Sequence, residues 1–95
     1  MTIQRQQTRT PMFTLYYTAA CHLCEEAQAV VMAGFAARCI AANALKMTDI
    51  ADDEGLLERY GLLIPVLRAE ASGLELNWPF GVDEVLRLLS VSQLR

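Results

Sequence analysis

Short apolar runs separated by polar residues divide the first half of the chain into a strand, a helix and a second strand. Residues 12–17 read MFTLYY, and this run of strand-forming residues predicts a first strand. The next apolar positions recur three or four residues apart, as on one face of a helix: Leu23, Ala27, Val30, Val31, Gly34 and Phe35. The pattern leaves open whether this helix breaks at Gly34 or continues toward Ile40, with Asn43 as a stop. Residues 45–50 predict the second strand.

The second half of the chain predicts another helix, two strands and a final helix. Asp52 and Asp53 are good cap residues for the helix, and Gly61 suits the position after its end. Residues 64–68 predict a third strand, and residues 74–78 alternate apolar with polar side chains, as a half-exposed fourth strand does. The spacing of the remaining apolar residues indicates the last helix: Val82, Val85, Leu86 and Leu89.

This element order, β-α-β-α-β-β-α, predicts an α/β domain over residues 12–95. A strand, helix and strand in succession favour a parallel pair with a right-handed crossover. The short Ser72-Gly73 link favours an antiparallel hairpin for the last two strands. We therefore expect a four-stranded mixed sheet flanked by helices. Residues 1–11 are expected to form a disordered tail.

Composition and charge argue against several classes of partner. The 95 residues contain 8 Lys and Arg against 11 Asp and Glu, and no cationic run interleaves with aromatic residues, so nucleic acid is not expected. The longest apolar stretch, residues 27–45, contains Arg38, and a central Arg costs about 3 kcal/mol on membrane-insertion scales. A membrane span is therefore not expected. Three cysteines with one close pair are typical of a cytoplasmic redox or metal-binding protein.

The candidate chemistry lies in the Cys21-His22-Leu23-Cys24 motif, which follows a predicted strand and opens a predicted helix. The first amides of a helix lack partners within the helix and lie at the positive end of its dipole. They favour a thiolate at Cys21, whose pKa should fall. Cys24 lies one turn further along, so we expect it to be more buried and to resolve a mixed disulfide formed at Cys21.

The residues around this pair leave alternatives open. A zinc site needs about four ligands, and only His22 and Cys39 remain as candidates, so no metal site is predicted. A purely structural disulfide stays open. A protonated His22 would favour the Cys21 thiolate, but an exposed residue without a tuning role fits equally well. Cys39 lies near the end of the apolar stretch, and we expect it to be buried, because unpaired cysteines are usually buried.

Several short segments, in order and with matching spacing, resemble a known family: Leu15-Tyr16, Cys21-His22-Leu23-Cys24-Glu25, Asp49-Ile50, Tyr60-Gly61-Leu62, Ile64-Pro65-Val66-Leu67 and Trp78-Pro79-Phe80. Over residues 13–89 the chain is similar to the thioredoxin superfamily, and within it to the short bacterial glutaredoxin-like proteins. The resemblance implies that Cys21 attacks and Cys24 resolves. It also implies a cis peptide before Pro65, with the backbone of Ile64 binding a peptide or thiol.

Glutathione is a doubtful ligand. Glutaredoxins that bind it usually carry a Gly-Gly pair before the last helix, followed by an Asp. This chain has Pro79-Phe80 in that region, although Asp83 is retained. The bulkier pair is expected to occlude the groove for glutathione.

The leading hypothesis is a thiol–disulfide oxidoreductase that exchanges its Cys21–Cys24 pair with a disulfide of a protein or a low-molecular-weight thiol. No cofactor is required for that chemistry, and a reductase would restore the dithiol. One alternative is a non-catalytic module that binds or carries a partner peptide at the edge of the sheet. Another is a metal or iron–sulfur holding protein.

Overall fold

The strands and helices follow the predicted order in the computed structural model, which describes residues 12–93. The strands are β1 (Phe13–Tyr17), β2 (Leu45–Asp49), β3 (Val66–Ala69) and β4 (Glu75–Asn77). The helices are α1 (His22–Ala37), α2 (Glu54–Tyr60) and α3 (Val82–Gln93), with a 3-10 turn at Ala42–Ala44. The tail predicted at residues 1–11 lies outside the described residues. None of the helices described here has the length and hydropathy that a membrane span requires.

The sheet is mixed, with the strand order β2-β1-β3-β4. β1 runs parallel to β2, with Phe13 opposite Leu45, and antiparallel to β3, with Phe13 opposite Ala69. β3 and β4 are antiparallel. The predicted four-stranded mixed sheet is thus confirmed. Because β1 and β2 are parallel, their carboxyl ends meet at one edge of the sheet, and α1 begins just beyond that edge.

Alternation along β1 directs its side chains into two different layers. Phe13 and Leu15 are fully buried in the larger hydrophobic cluster, against α1 and α3. The two helices contribute the following buried residues to that cluster: Ala27, Val31, Phe35, Val85, Leu88 and Leu89. Tyr16 lies on the opposite face and stacks on Tyr60 of α2, with ring centroids 4.2 Å apart. The main core therefore lies between the sheet and the α1–α3 pair.

Gly34 allows α1 and α3 to pack closely. A Cβ atom at this position would lie only 2.6 Å from Cγ1 of Val85. That distance is well inside van der Waals contact, so a side chain here would force one of the two helices to move. The sequence left open whether the helix breaks at Gly34, and α1 continues through this glycine to Ala37.

The prediction that Cys39 is buried is wrong, because α1 ends just before it and turns the chain outward. Cys39 has a φ of 57°, in the left-handed region, and its side chain is a free, exposed thiol. Its amide donates to the carbonyl of Ala36, and the amide of Ile40 donates to Phe35. This pair of bonds is the Schellman termination of a helix, in which the left-handed position is usually a glycine. Ile40, rather than Cys39, packs against the core.

A group of polar side chains covers part of the second face of the sheet. The Tyr60 hydroxyl donates to a carboxylate oxygen of Glu75, which also accepts from Arg68 at 3.0 Å. Arg68 also contacts Glu70 at 3.4 Å, and Glu70 accepts a hydrogen bond from the hydroxyl of Thr14. Burial, together with the hydrogen bond to Glu75, raises the pKa of Tyr60 to about 12. These contacts link α2 to three strands through paired polar groups.

Replacing Gly34 by Ala is expected to destabilise the fold by about 1–3 kcal/mol, the usual cost of overpacking. The clash with Val85 should outweigh the gain in helix propensity, which is at most about 1 kcal/mol. Gly55→Ala in α2 is the matched control, because its Cβ would meet only an Asp53 oxygen, at 3.4 Å. Urea unfolding of both variants measures the difference. Equal stability changes at the two glycines would contradict the packing argument.

The folded chain should lose stability between about pH 10 and pH 12 through Tyr60. Its folded pKa is raised from 10.0 to about 12, so the unfolded chain releases this proton first as the pH rises. The stabilisation from Tyr60 is complete below the pKa that its hydroxyl has in the unfolded chain. It is lost as the pH rises past the higher pKa of the folded chain. Tyr60→Phe should show a smaller decline than the parent chain in denaturant unfolding over this range. An identical decline in the variant would assign the effect to other groups.

Candidate functional site

The start of α1 positions the two cysteines. Cys21 is the N-cap residue, with an extended backbone (φ −90°, ψ 108°), and its sulfur accepts a hydrogen bond from the Cys24 amide at 3.1 Å. A cap of this kind satisfies one of the amides that the first turn of a helix leaves without a partner. The same amide would stabilise a thiolate at Cys21 better than a thiol, because a hydrogen bond to the charged form favours that form.

Cys21 and Cys24 form a disulfide, with Cα atoms 5.3 Å apart. The two sulfurs differ in accessibility, because Cys21 is half-buried at the cap whereas Cys24 is only 3% exposed. The prediction that Cys24 is the more buried of the pair is therefore confirmed. An external disulfide can reach Cys21 from solvent, while Cys24 is held beside it one turn into the helix.

A cavity of about 280 Å³ opens beside this disulfide. Residues from β1, the loop after it, α1 and β2 line it: Tyr17, Thr18, Ala19, Cys21, Cys24, Glu25, Gln28 and Met47. Sequence reasoning identified only the two cysteines among these residues as site residues. The signal that it missed is the register between β1 and β2. Met47 lies opposite Leu15, and Tyr17 is two residues beyond Leu15 on the same face of the sheet, so Met47 and Tyr17 come close together.

His22 is the first residue of α1, and its side chain is 81% exposed. Its Nε2 atom lies 3.3 Å from a carboxylate oxygen of Glu26, one turn along the helix. The imidazole therefore has an acidic neighbour of its own, which would offset the charge of a protonated ring. His22 does not line the cavity, and its tuning role stays a prediction.

Ile64 and Pro65 lie at the entry to β3, joined by the cis peptide bond that the resemblance implies. The strand begins at Val66, later than the predicted residue 64, and the Ile64 amide instead donates to the carbonyl of Tyr60 at 3.0 Å. The Pro65 carbonyl accepts from Trp78 at 3.2 Å. Within residues 12–93, no backbone amide donates to the Ile64 carbonyl. Neither residue lines the cavity beside the cysteines.

Phe80 is a core residue, although it was expected to stand in the groove for glutathione. Its ring is 6% exposed and packs edge-on against Trp78, with centroids 5.1 Å apart. Pro79 is exposed and also follows a cis peptide bond, which the sequence analysis did not anticipate. Any steric effect on a ligand in this region therefore comes from Pro79 and not from the aromatic ring.

The described residues contain no group of three or more His, Cys, Asp or Glu side chains placed to hold a metal ion. Cys39, the remaining cysteine, lies at the far end of α1 from Cys21. The chemistry that the site itself offers is that of one close pair of sulfurs, of which one is accessible.

Comparisons with known proteins agree with this geometry. A family model described as "Glutaredoxin-like domain (DUF836)" matches residues 12–90. An X-ray structure of the structural genomics target protein XcR50 from X. campestris is 35% identical, covers 83% of this chain and 96% of its own, and has a TM-score of 0.66. A solution structure of XcR50 is 37% identical, covers 84% and 94%, and has a TM-score of 0.64. No curated protein matches the chain.

Alkylation should separate the three cysteines by their environments. In the oxidised protein, iodoacetamide is expected to label only Cys39, the free and exposed thiol. After reduction, Cys21 should label fastest at neutral pH, because it caps the helix and is accessible, and Cys24 slowest, because it is buried. Peptide mass mapping over a time course measures all three rates in one sample. Faster labelling of Cys24 than of Cys21 would reverse the assignment of roles.

Proposed function

Because the family model spans residues 12–90, the chain belongs to the glutaredoxin-like domain family, and we propose that it is a thiol–disulfide oxidoreductase acting through Cys21 and Cys24. Its fold is the thioredoxin fold. The observation that carries the proposal is the hydrogen bond from the Cys24 amide to the Cys21 sulfur at the start of α1. This contact favours a thiolate at the accessible cysteine, and the thiolate is the reactive form.

The proposed reaction is a pair of thiol–disulfide exchanges. The Cys21 thiolate attacks one sulfur of a substrate disulfide, forms a mixed disulfide and releases the other half of the substrate as a thiolate, which takes a proton from solvent. Cys24 then loses its proton and attacks the Cys21 sulfur. The second half of the substrate leaves as a thiolate, and the Cys21–Cys24 disulfide forms. Two electrons pass in total from the protein dithiol to the substrate.

The proximity of Cys24 makes the second exchange intramolecular. The backbone of the first helical turn holds the two residues with Cα atoms 5.3 Å apart, within the range that a disulfide requires. No diffusion step is needed to bring the resolving thiol to the mixed disulfide. Burial of Cys24 also limits its direct reaction with external disulfides, so the order of the two attacks is determined by access.

We assign Ile64 a role in substrate binding, through its carbonyl group. Its amide is already bonded to Tyr60, so the carbonyl is the group left to pair with the backbone of an extended substrate. A single main-chain acceptor of this kind orients a peptide without selecting its sequence. Pro65, which is buried, fixes the position of that carbonyl.

The proposed partners are disulfides of proteins or of low-molecular-weight thiols, and a separate reductase that returns the dithiol form. We propose that this exchange takes place in the cytoplasm, and that no bound cofactor takes part. Glutathione is proposed to be a poor substrate.

Replacing Cys24 by Ser should trap the first intermediate. With a disulfide-containing peptide as substrate, the variant is expected to accumulate a one-to-one mixed disulfide at Cys21, because the resolving thiol is missing. Cys21→Ser should lose exchange, and Cys39→Ser should retain it, because Cys39 lies at the other end of α1. Non-reducing mass spectrometry detects the adduct, and tryptic mapping locates it.

A result in which the reduced parent chain reacts no faster than Cys21→Ser would overturn the oxidoreductase proposal. It would instead favour a binding module in which the cysteine pair has no catalytic part. Circular dichroism of each variant controls for loss of the fold.

A further inference from the structure

Among the described residues that line the cavity beside the cysteines, Glu25 carries the charge, and we propose that this cavity selects the charge of the substrate. Substrates whose reacting sulfur carries a nearby positive charge are preferred over anionic ones, with Glu25 as the residue that discriminates between them. This inference rests on the proposed exchange chemistry of Cys21 and deepens it.

Glu25 is positioned by the same helix that positions the cysteines. It follows Cys24 directly in the first turn of α1, and its exposed side chain lines the cavity together with both cysteines. The other residues of α1 that line the cavity carry no formal charge. A substrate substituent that enters this cavity on its way to Cys21 would pass Glu25, because both residues line it.

The strand register keeps the nearest lysine away from this cavity. Lys46 neighbours Met47 in the sequence, but adjacent residues of a strand point to opposite faces of the sheet. Lys46 lies opposite Thr14, whereas the cavity residue Met47 lies opposite Leu15, on the face covered by α1 and α3. Among the described residues, no Lys or Arg lines the cavity, so Glu25 is the charged side chain on its wall.

A second carboxylate lies on the same face of the sheet, at the same edge. Asp49 ends β2 directly opposite Tyr17, which lines the cavity. One oxygen of Asp49 accepts a hydrogen bond from the Ala51 amide at 2.9 Å, and this bond holds the side chain in place without neutralising it. Asp49 does not line the cavity, but it adds a second negative charge at the same edge of the sheet, beside the cavity residue Tyr17.

This charge pattern gives a second reason, independent of the shape of the loop at Pro79, why glutathione should react poorly. Glutathione carries two carboxylates and one ammonium group, so it has a net negative charge at neutral pH. A positive charge instead surrounds a protein cysteine that is flanked by Lys or Arg, and a small aminothiol also carries one. Attraction at a distance of 4 Å is worth about 1 kcal/mol per charge pair even in water, about a fivefold change in rate.

The test measures exchange with three small disulfides that differ in charge. Reduced protein is mixed with cystamine, bis-hydroxyethyl disulfide or dithiodipropionate, which are cationic, neutral and anionic. Every chain carries Cys39→Ser, so that the exposed third thiol does not contribute. Acid quenching followed by mass spectrometry gives each second-order rate constant.

The readout is the ratio of the cystamine rate to the dithiodipropionate rate, compared between Glu25→Gln and its background. This comparison cancels the intrinsic reactivities of the two reagents. We expect the ratio to fall about 25-fold in Glu25→Gln at low ionic strength, about fivefold from each reagent, and the difference to shrink at 1 M salt, where screening acts over about 3 Å. Glu58→Gln is the matched control, because it makes the same charge change on α2, away from the cavity, and should leave the ratio unchanged.

The outcomes separate the two proposals. Fast exchange with an unchanged ratio in Glu25→Gln overturns charge selection and leaves the oxidoreductase proposal standing. An equal fall in both glutamate variants also overturns it, because net charge would then explain the effect. Failure of the background chain to react with any of the three disulfides overturns the proposed function, and charge selection with it.

Discussion

The backbone amides in the first turn of α1 require hydrogen-bond acceptors, and the sulfur of Cys21 accepts the hydrogen bond that the Cys24 amide donates. This requirement places Cys21 at the N-cap with an extended backbone, directly after the loop that leaves β1. It also places Cys24 three residues later, one turn into the helix, where the core covers it. Accessibility and thiolate stabilisation at one sulfur, and burial at the other, therefore follow from a single cap.

The cap holds its position only because the rest of α1 is fixed. Phe35 packs against Phe13 of β1, with ring centroids 5.4 Å apart, and Gly34 brings the helix into contact with Val85 of α3. These contacts lie more than two turns from the cysteines. They act on the site because a helix moves as a rigid element, so the packing at one end determines where the other end meets the sheet.

The two faces of the sheet serve different purposes. The face under α1 and α3 is apolar, and its edge opens into the cavity beside the disulfide. The other face carries α2 and the hydrogen-bonded group of Tyr60, Glu75 and Arg68. Because these layers are separate, the cavity is lined by one carboxylate, that of Glu25, and by no arginine of the described residues. Arg68 of β3 lies on the opposite face, where it forms ion pairs with Glu70 and Glu75.

Much of this protein was determined by local sequence. The strand and helix order, the mixed sheet and the placement of the cysteine pair at a helix start were predicted, because backbone hydrogen bonds and apolar periodicity act over a few residues. The tertiary structure alone decided that Cys39 is exposed, since a non-glycine residue occupies the left-handed end of α1. It also decided that Phe80 joins the core, and that Tyr17, Glu25 and Met47 meet around one cavity. These three residues come from three separate elements. They meet because of the register between β1 and β2 and the packing of α1 on the sheet, and neither can be inferred from a pattern of neighbouring residues.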